Sequence, residues 1–139
     1  MEVSVKISKD IEVAEVVELY QANGWSSAEV PDKLIPALLN SDTLVTARLD
    51  GKLIGIGNAI SDGYLVVYYP HMLVDPRFQG LGVGRKMMEL LQTRYKGFHQ
   101  QMLTADGEAV DFYKASGLRE RVKLNLCGCM REMIISVPY

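Results

Sequence analysis

Three glycines on alternate positions, Gly80, Gly82 and Gly84, interrupt the stretch VDPRFQGLGVGRKMMELL, between a β-branched apolar run and an apolar helical pattern. Glycine costs backbone entropy, so a turn or a ligand must require it there. A strand that enters a helix through such a turn exposes the first backbone N–H groups of the helix at the positive end of its dipole, which makes an anion site. Arg77 and Arg85 flank the turn, either as charge-assisted contacts or as solvated surface charge. A single left-handed glycine suffices for most turns, so the spacing points to a phosphate or pyrophosphate ligand. A Walker A loop, G-x-x-x-x-G-K-S/T, does not fit, because the position it reserves for its second glycine holds Arg85. The dinucleotide pattern G-x-G-x-x-G fails at the same residue.

The other chemistry-bearing residues are sparse. Cys127 and Cys129 flank Gly128, either as half a metal or redox site or as two small buried side chains on one strand. A lone C-x-C lacks the second ligand pair of a zinc site, and His71 and His99 show no ligand spacing to each other, so no metal is expected.

The elements that must position the turn are legible from periodicity. Val3, Val5 and Ile7 alternate with polar residues as a first strand. Ser8 to Asp10 offers N-cap chemistry to a helix carrying Val13, Val16, Val17 and Tyr20, which Asn23-Gly24 ends. Pro31 suits a helix's first turn, and Leu34, Ile35, Leu38 and Leu39 form the apolar face of that second helix. Pro36 inside the pattern makes this helix short, kinked or later in its start. Strands Thr43 to Leu49 and Lys52 to Ile60 meet at an Asp50-Gly51 turn, and Asp62-Gly63 leads into a third strand, Tyr64 to Val74. Val83, Met87, Leu90 and Leu91 make a helical stripe, and Gln101 to Ala105 a short strand, parallel to the one at Val74 across the intervening helix. Ala109, Phe112, Tyr113 and Ala115 form another short helix capped by Gly117, with closing strands over 118–126 and 130–137. An antiparallel meander followed by alternating strands and helices predicts an α+β fold, a mixed sheet flanked by helices.

The 139 residues suit one domain over positions 1–139. Hydrophobic residues at 48%, charged residues at 23% and a net charge of −2 fit a globular protein and argue against nucleic acid as the main partner. No run reaches the roughly 18 apolar residues of a membrane span, and the mixed, charged N-terminus is unlike a secretory signal, so a cytoplasmic protein is expected.

Gln79-x-x-Gly82-x-Gly84, with Gln79 five residues after Val74, resembles the pyrophosphate-binding signature of the GNAT superfamily of N-acetyltransferases. AVDFYKASGL, Ala109 to Leu118, is similar to the same family's A-x-x-F-Y-x-x-x-G-F segment, and the order of elements between and before the two also matches. The resemblance implies the GNAT fold, a mostly antiparallel twisted sheet of about six to seven strands with about four helices. It implies acetyl-coenzyme A as donor, its pyrophosphate on the N–H groups of Gln79, Gly80, Leu81, Gly82, Val83, Gly84 and Arg85. Backbone groups of Leu73 and Val74 would then pair with the pantetheine arm and polarise the thioester. Tyr113 takes the position of the acid that protonates the departing thiolate, or else packs its ring beside Phe112.

The general base stays open. The family's usual positions, four or six residues before Val74, hold Pro70 and Tyr68, and strand alternation turns His71 to the other face. A bulge at Pro70 would re-aim His71; otherwise Tyr68 orients a water, or the amine arrives already deprotonated. The acceptor pocket implied by the fold lies against the first two helices and their connection, with Tyr20, Trp25, Tyr68 and Tyr69 as its walls or as core. The acceptor would be the amine of a small molecule, amino acid or peptide. A non-catalytic acyl-coenzyme A-binding module of the same fold is the alternative, a redox or metal protein on Cys127 and Cys129 a third, and a homodimer through C-terminal strand edges is compatible with the fold.

Overall fold

The computed structural model describes residues 2–105, 119–120 and 131–136. Its elements are β1 (Val3–Ile7), α1 (Val13–Ala22), a 3-10 turn (Ser26–Glu29), α2 (Pro31–Leu39), β2 (Thr43–Leu49), β3 (Lys52–Ser61), β4 (Val66–Tyr69), β5 (Met72–Val74), a second 3-10 turn (Pro76–Phe78), α3 (Val83–Arg94), β6 (Gln100–Ala105), β7 (Arg119–Glu120) and β8 (Arg131–Ser136). They fall into two compact units, Met1–Ala59 with His71–Arg94, and Ile60–Pro70 with Tyr95–Tyr139.

In the first unit β1, β2, β3 and β5 form an antiparallel ladder in the order β1-β2-β3-β5. Asp50 and Gly51, at φ of 50° and 82°, make the β2–β3 turn with both central residues left-handed, as the Asp-Gly pair predicts. Val16, Leu19 and Tyr20 of α1 and Leu34 and Leu38 of α2 bury against Leu44, Leu53, Ile56 and Leu73. Helix α3 packs on β1, β2 and β5 through a second cluster in which Met87 lies over Gly55 beside Ala47. A Cβ at Gly55 would stand 3.1 Å from the Met87 thioether, so this strand glycine is set by close packing and not by its backbone angles.

In the second unit Ile60 and Ser61, the end of β3, pair antiparallel with Tyr68 and Val67. Strand β4 pairs parallel with β6, β6 antiparallel with β8, and β8 antiparallel with β7. The expected Asp62-Gly63 hairpin is a wider loop in which the Asp62 carboxylate accepts the N–H groups of Tyr64, Leu65 and Val66. Tyr69 is buried here and donates to Gln101 Oε1 at 2.7 Å.

The mixed, mostly antiparallel α+β architecture matches the expectation, with several local corrections. The predicted strand Tyr64 to Val74 is two, β4 and β5, because it breaks at Pro70-His71, and this brings the strands among the described residues to eight. The parallel partner of β6 is consequently β4 and not the Val74 segment. Helix α1 starts beyond Ser8 to Asp10: Glu12 caps it, and the Glu15 carboxylate accepts the Glu12 N–H at 3.3 Å. Ser8 instead accepts the Asp10 N–H. Leu19 takes the core place expected of Val13, which is exposed, and Met88 is buried where Leu90 is half-buried. Helix α2 begins at Pro31 and runs through Pro36, staying short at nine residues. Three helices lie among the described residues; the predicted fourth, around Ala109 to Ala115, and the Cys127/Cys129 pair lie outside them.

Candidate active site

Asp75 follows β5 and opens the turn. Its carboxylate is buried and accepts the backbone N–H, Nε–H and Nη2–H of Arg77 at 3.0, 3.1 and 2.8 Å. The Arg77 guanidinium holds this carboxyl below the usual range, and Arg77, itself exposed, pairs within the turn, a role beyond the two expected of it. Gln79 follows in extended conformation, and its Nε2 donates to the Val74 carbonyl at 3.1 Å, tying the turn to the strand it leaves.

Gly80 and Gly82 stand at φ of 80° and 83°, with exposed Leu81 between them, whereas Gly84 lies inside α3. A Cβ at either left-handed glycine would meet no atom within 4 Å, so backbone angle, not crowding, requires glycine there. The first helical bond at this end runs from Lys86 N–H to Gly82 O, at 3.1 Å, which leaves the N–H groups of Val83, Gly84 and Arg85 without an acceptor inside the helix. Arg85 is exposed and makes no ion pair among the described residues. The open space and the row of donors suit a pyrophosphate.

The phase of the β3–β5 ladder decides which backbone groups of β5 are spoken for. Hydrogen bonds from Asn58 N–H to His71 O and from Asp75 N–H to Ile54 O mark bonded pairs on either side of Leu73. Leu73, opposite Ile56, therefore turns its backbone groups to β3, and Met72 and Val74 turn theirs away. Val74's carbonyl takes the Gln79 amide, and its N–H points out from the strand.

His71 sits at the break between β4 and β5. Its N–H donates to Asn58 Oδ1 at 2.9 Å, in place of a ladder bond. Asn58 is buried and donates through Nδ2 to Ser41 Oγ at 3.0 Å, and Ser41 Oγ donates in turn to Ala37 O. The ring lies against α1 and the segment after it: Nδ1 is 2.6 Å from the Tyr20 hydroxyl, and the Trp25 ring stands edge-on with centroids 5.1 Å apart. Burial pushes the imidazole's pKa below its ordinary value and the Tyr20 phenol's well above. His71 thus shares the α1-facing side of the chain with Leu73, as strand alternation expects and with no re-aiming by Pro70, and Tyr20 and Trp25 meet at its ring. Tyr68 is partly exposed in the second unit, and Tyr113 lies outside the described residues.

Asn58 and Asp75 are the residues that sequence reasoning passed over. Each carried a signal: Asn58 is a lone amide in the apolar run LIGIGNAI, where amides are depleted, and Asp75-Pro76 is a favoured cap pair. Asn58→Ala strands the His71 N–H and removes the donor to Ser41. It is expected to lower stability by about 1–3 kcal/mol, read as a reduced urea midpoint at unchanged slope.

The sequence profile described as Acetyltransferase (GNAT) domain matches residues 13–125. A chain named Uncharacterized N-acetyltransferase ycf52, from Pyropia yezoensis, is 27% identical over 117 residues, covering 79% of this chain and 66% of its own length. The chain therefore spans just under two thirds of that relative. Among solved structures, a GNAT family acetyltransferase of Streptococcus pneumoniae superposes with a TM-score of 0.75 at 24% identity, over 90% of this chain and 99% of its own. The PaiA N-acetyltransferase of Thermoplasma acidophilum, solved with coenzyme A, gives 0.72 at 16% identity over 99% and 100%. With the profile spanning both the α1 region and the glycine turn, the strand–turn–helix unit takes its meaning from a family, and the chain belongs to the GNAT acetyltransferases.

Proposed function

We propose that the protein is an acetyl-coenzyme A-dependent N-acetyltransferase that acetylates the primary amine of a small molecule, amino acid or peptide by direct attack in a ternary complex. The observation that carries this is the pairing of two free donor sets: the Val74 N–H at the end of β5 and the open N–H groups of Val83 to Arg85 after Gly82. The second set suits the pyrophosphate of the donor, and Gly80 and Gly82 leave space for it. The Val74 N–H suits the thioester carbonyl, whose oxygen gains negative charge as the amine nitrogen adds to its carbon. The carbon–sulfur bond then breaks, Tyr113 gives its phenolic proton to the thiolate, and the amine's excess proton leaves to solvent. A complex of PaiA with coenzyme A on the same fold agrees with the donor.

Incubation with acetyl-coenzyme A and a panel of primary amines, followed by free thiol release, tests the reading. Thiol release that depends on a particular amine is expected. Tight coenzyme A binding with no release above background for any amine would favour a non-catalytic acyl-coenzyme A-binding module. No binding of coenzyme A would remove both.

A further inference from the structure

The Tyr20–His71 contact joins residues 51 positions apart, inside the first unit, and fixes more than a ring's position. Tyr20 is fully buried, and its hydroxyl has the His71 Nδ1 as its partner among the described residues. A phenol that accepted a proton from Nδ1–H would leave its own O–H buried without an acceptor, which is costly; a phenol that donates to a bare Nδ1 satisfies both atoms. The hydrogen of the neutral imidazole then sits on Nε2, which has no protein partner among the described residues. Asn58 clamps the backbone of His71 on both its N–H and its carbonyl, and the rings of Tyr20 and Trp25 pack against the imidazole itself.

We infer that Tyr20 locks the neutral imidazole of His71 in the Nε2–H form, so that His71 meets the acetyl acceptor as a hydrogen-bond donor to a carbonyl or carboxylate oxygen and not as the base that deprotonates it. The inference rests on the acetyl-transfer reading, in which the acceptor lies against α1 and the α1–α2 connection that carries Trp25. A nitrogen that already bears hydrogen cannot take a proton from an amine, and it faces an ammonium donor to donor. It pairs well with oxygen. The acceptor class is thereby narrowed to amines that carry a carbonyl or carboxylate, such as amino acids and peptides, with the flat edge of Trp25 beside them. Tyr20 touches no substrate in this scheme and acts as a positioning residue. Tyr20 is the titratable group in contact with the ring; Trp25 and Asn58 are uncharged, and burial lowers the imidazole's pKa from its ordinary value.

The lock is read without turnover. In long-range proton–nitrogen correlation spectra at pH 8, His71, separated from His99 by the spectrum of His71→Gln, is expected in the Nε2–H tautomer. Tyr20→Phe, which keeps the ring and removes the hydroxyl, is expected to give a mixture of tautomers. A wild-type Nδ1–H tautomer would overturn the inference. The donor role is read by kinetics on paired acceptors, an amino acid amide and an alkylamine of similar size. His71→Ala should raise KM for the amide about tenfold more than it raises KM for the alkylamine. His71→Gln, whose amide N–H stands near the place of Nε2–H and cannot act as a base, should restore the amide's KM to within about threefold. Equal losses on both acceptors, or a His71→Gln enzyme as impaired as His71→Ala with its acid-side pH limb removed, would make His71 a base and overturn the inference. Should no amine in the panel be acetylated, that failure belongs to the transferase reading, and the tautomer spectrum still upholds or overturns the lock.

Discussion

Gly82→Val is expected to weaken coenzyme A binding at least about tenfold and to lower thermal stability at the same time, whereas Gly84→Ala should weaken binding with no loss of stability. The two glycines are two positions apart in sequence, yet they do different work. Gly82 stands at φ of 83°, where an L-residue costs about 1–2 kcal/mol and a β-branched one is a genuine outlier. No atom lies within 4 Å of a Cβ built there, so the cost is in the backbone and cannot be relieved by moving a neighbour. A shifted turn misdirects the N–H groups that follow it. Gly84 has ordinary helical angles inside α3, where alanine is preferred to glycine by about 0.5–1 kcal/mol. Helix propensity therefore favours a methyl at Gly84, and its harm falls on what approaches the first turn of α3. Calorimetric titration with coenzyme A, paired with a thermal melt of each variant, separates the two effects. If Gly84→Ala bound normally and Gly82→Val lost only stability, the glycines would be turn formers and the pyrophosphate would lie elsewhere.

The same contrast shows where sequence reading reached and where it stopped. Spacing alone located the turn, and Asp50-Gly51 announced a hairpin whose two left-handed residues are present. Local chemistry sufficed in both cases, because glycine and aspartate report backbone angles directly. Pro70 suggested a bulge in the long third strand, but not that the strand breaks there into halves that pair differently, β4 with β6 and β5 with β3 alone, since partners across a sheet leave little trace in one strand's pattern. Helix α1 was readable as a helix, and its inner face was misjudged by a fraction of a turn: Val13 and Leu19 both fit an apolar stripe, and only the strands beneath choose Leu19. The His71 site was the least legible part. Alternation aims that side chain away from the family's usual base position and onto the α1 side, but that Tyr20 and Trp25 meet its ring while Asn58, thirteen residues upstream, holds its backbone is tertiary. Buried polar pairs of this kind follow from the whole fold, not from any window of it.

Tyr113→Phe is expected to lower turnover about a hundredfold with coenzyme A affinity changed less than about threefold, at the low end of what a general acid supplies. The size follows from the leaving group. A thiol has a pKa near 8.5, so its thiolate departs at neutral pH with modest help, unlike an amine or alkoxide. A phenol with a pKa near 10 is protonated throughout the neutral range and is a slightly weaker acid than the thiol it serves, so transfer is nearly balanced and the gain is bounded. The sign of the pH effect follows as well. Wild-type turnover should decline as pH rises through the phenol's pKa and the proton is lost, and this alkaline limb should be absent from Tyr113→Phe. A series of amine acceptors offers a second measure: as the amine becomes more basic and attack becomes easier, thiolate departure limits the rate more fully, and the deficit of the variant should grow. Turnover unchanged across the amine series, with the alkaline limb intact, would remove Tyr113 from the chemistry and leave the thiolate to depart unassisted.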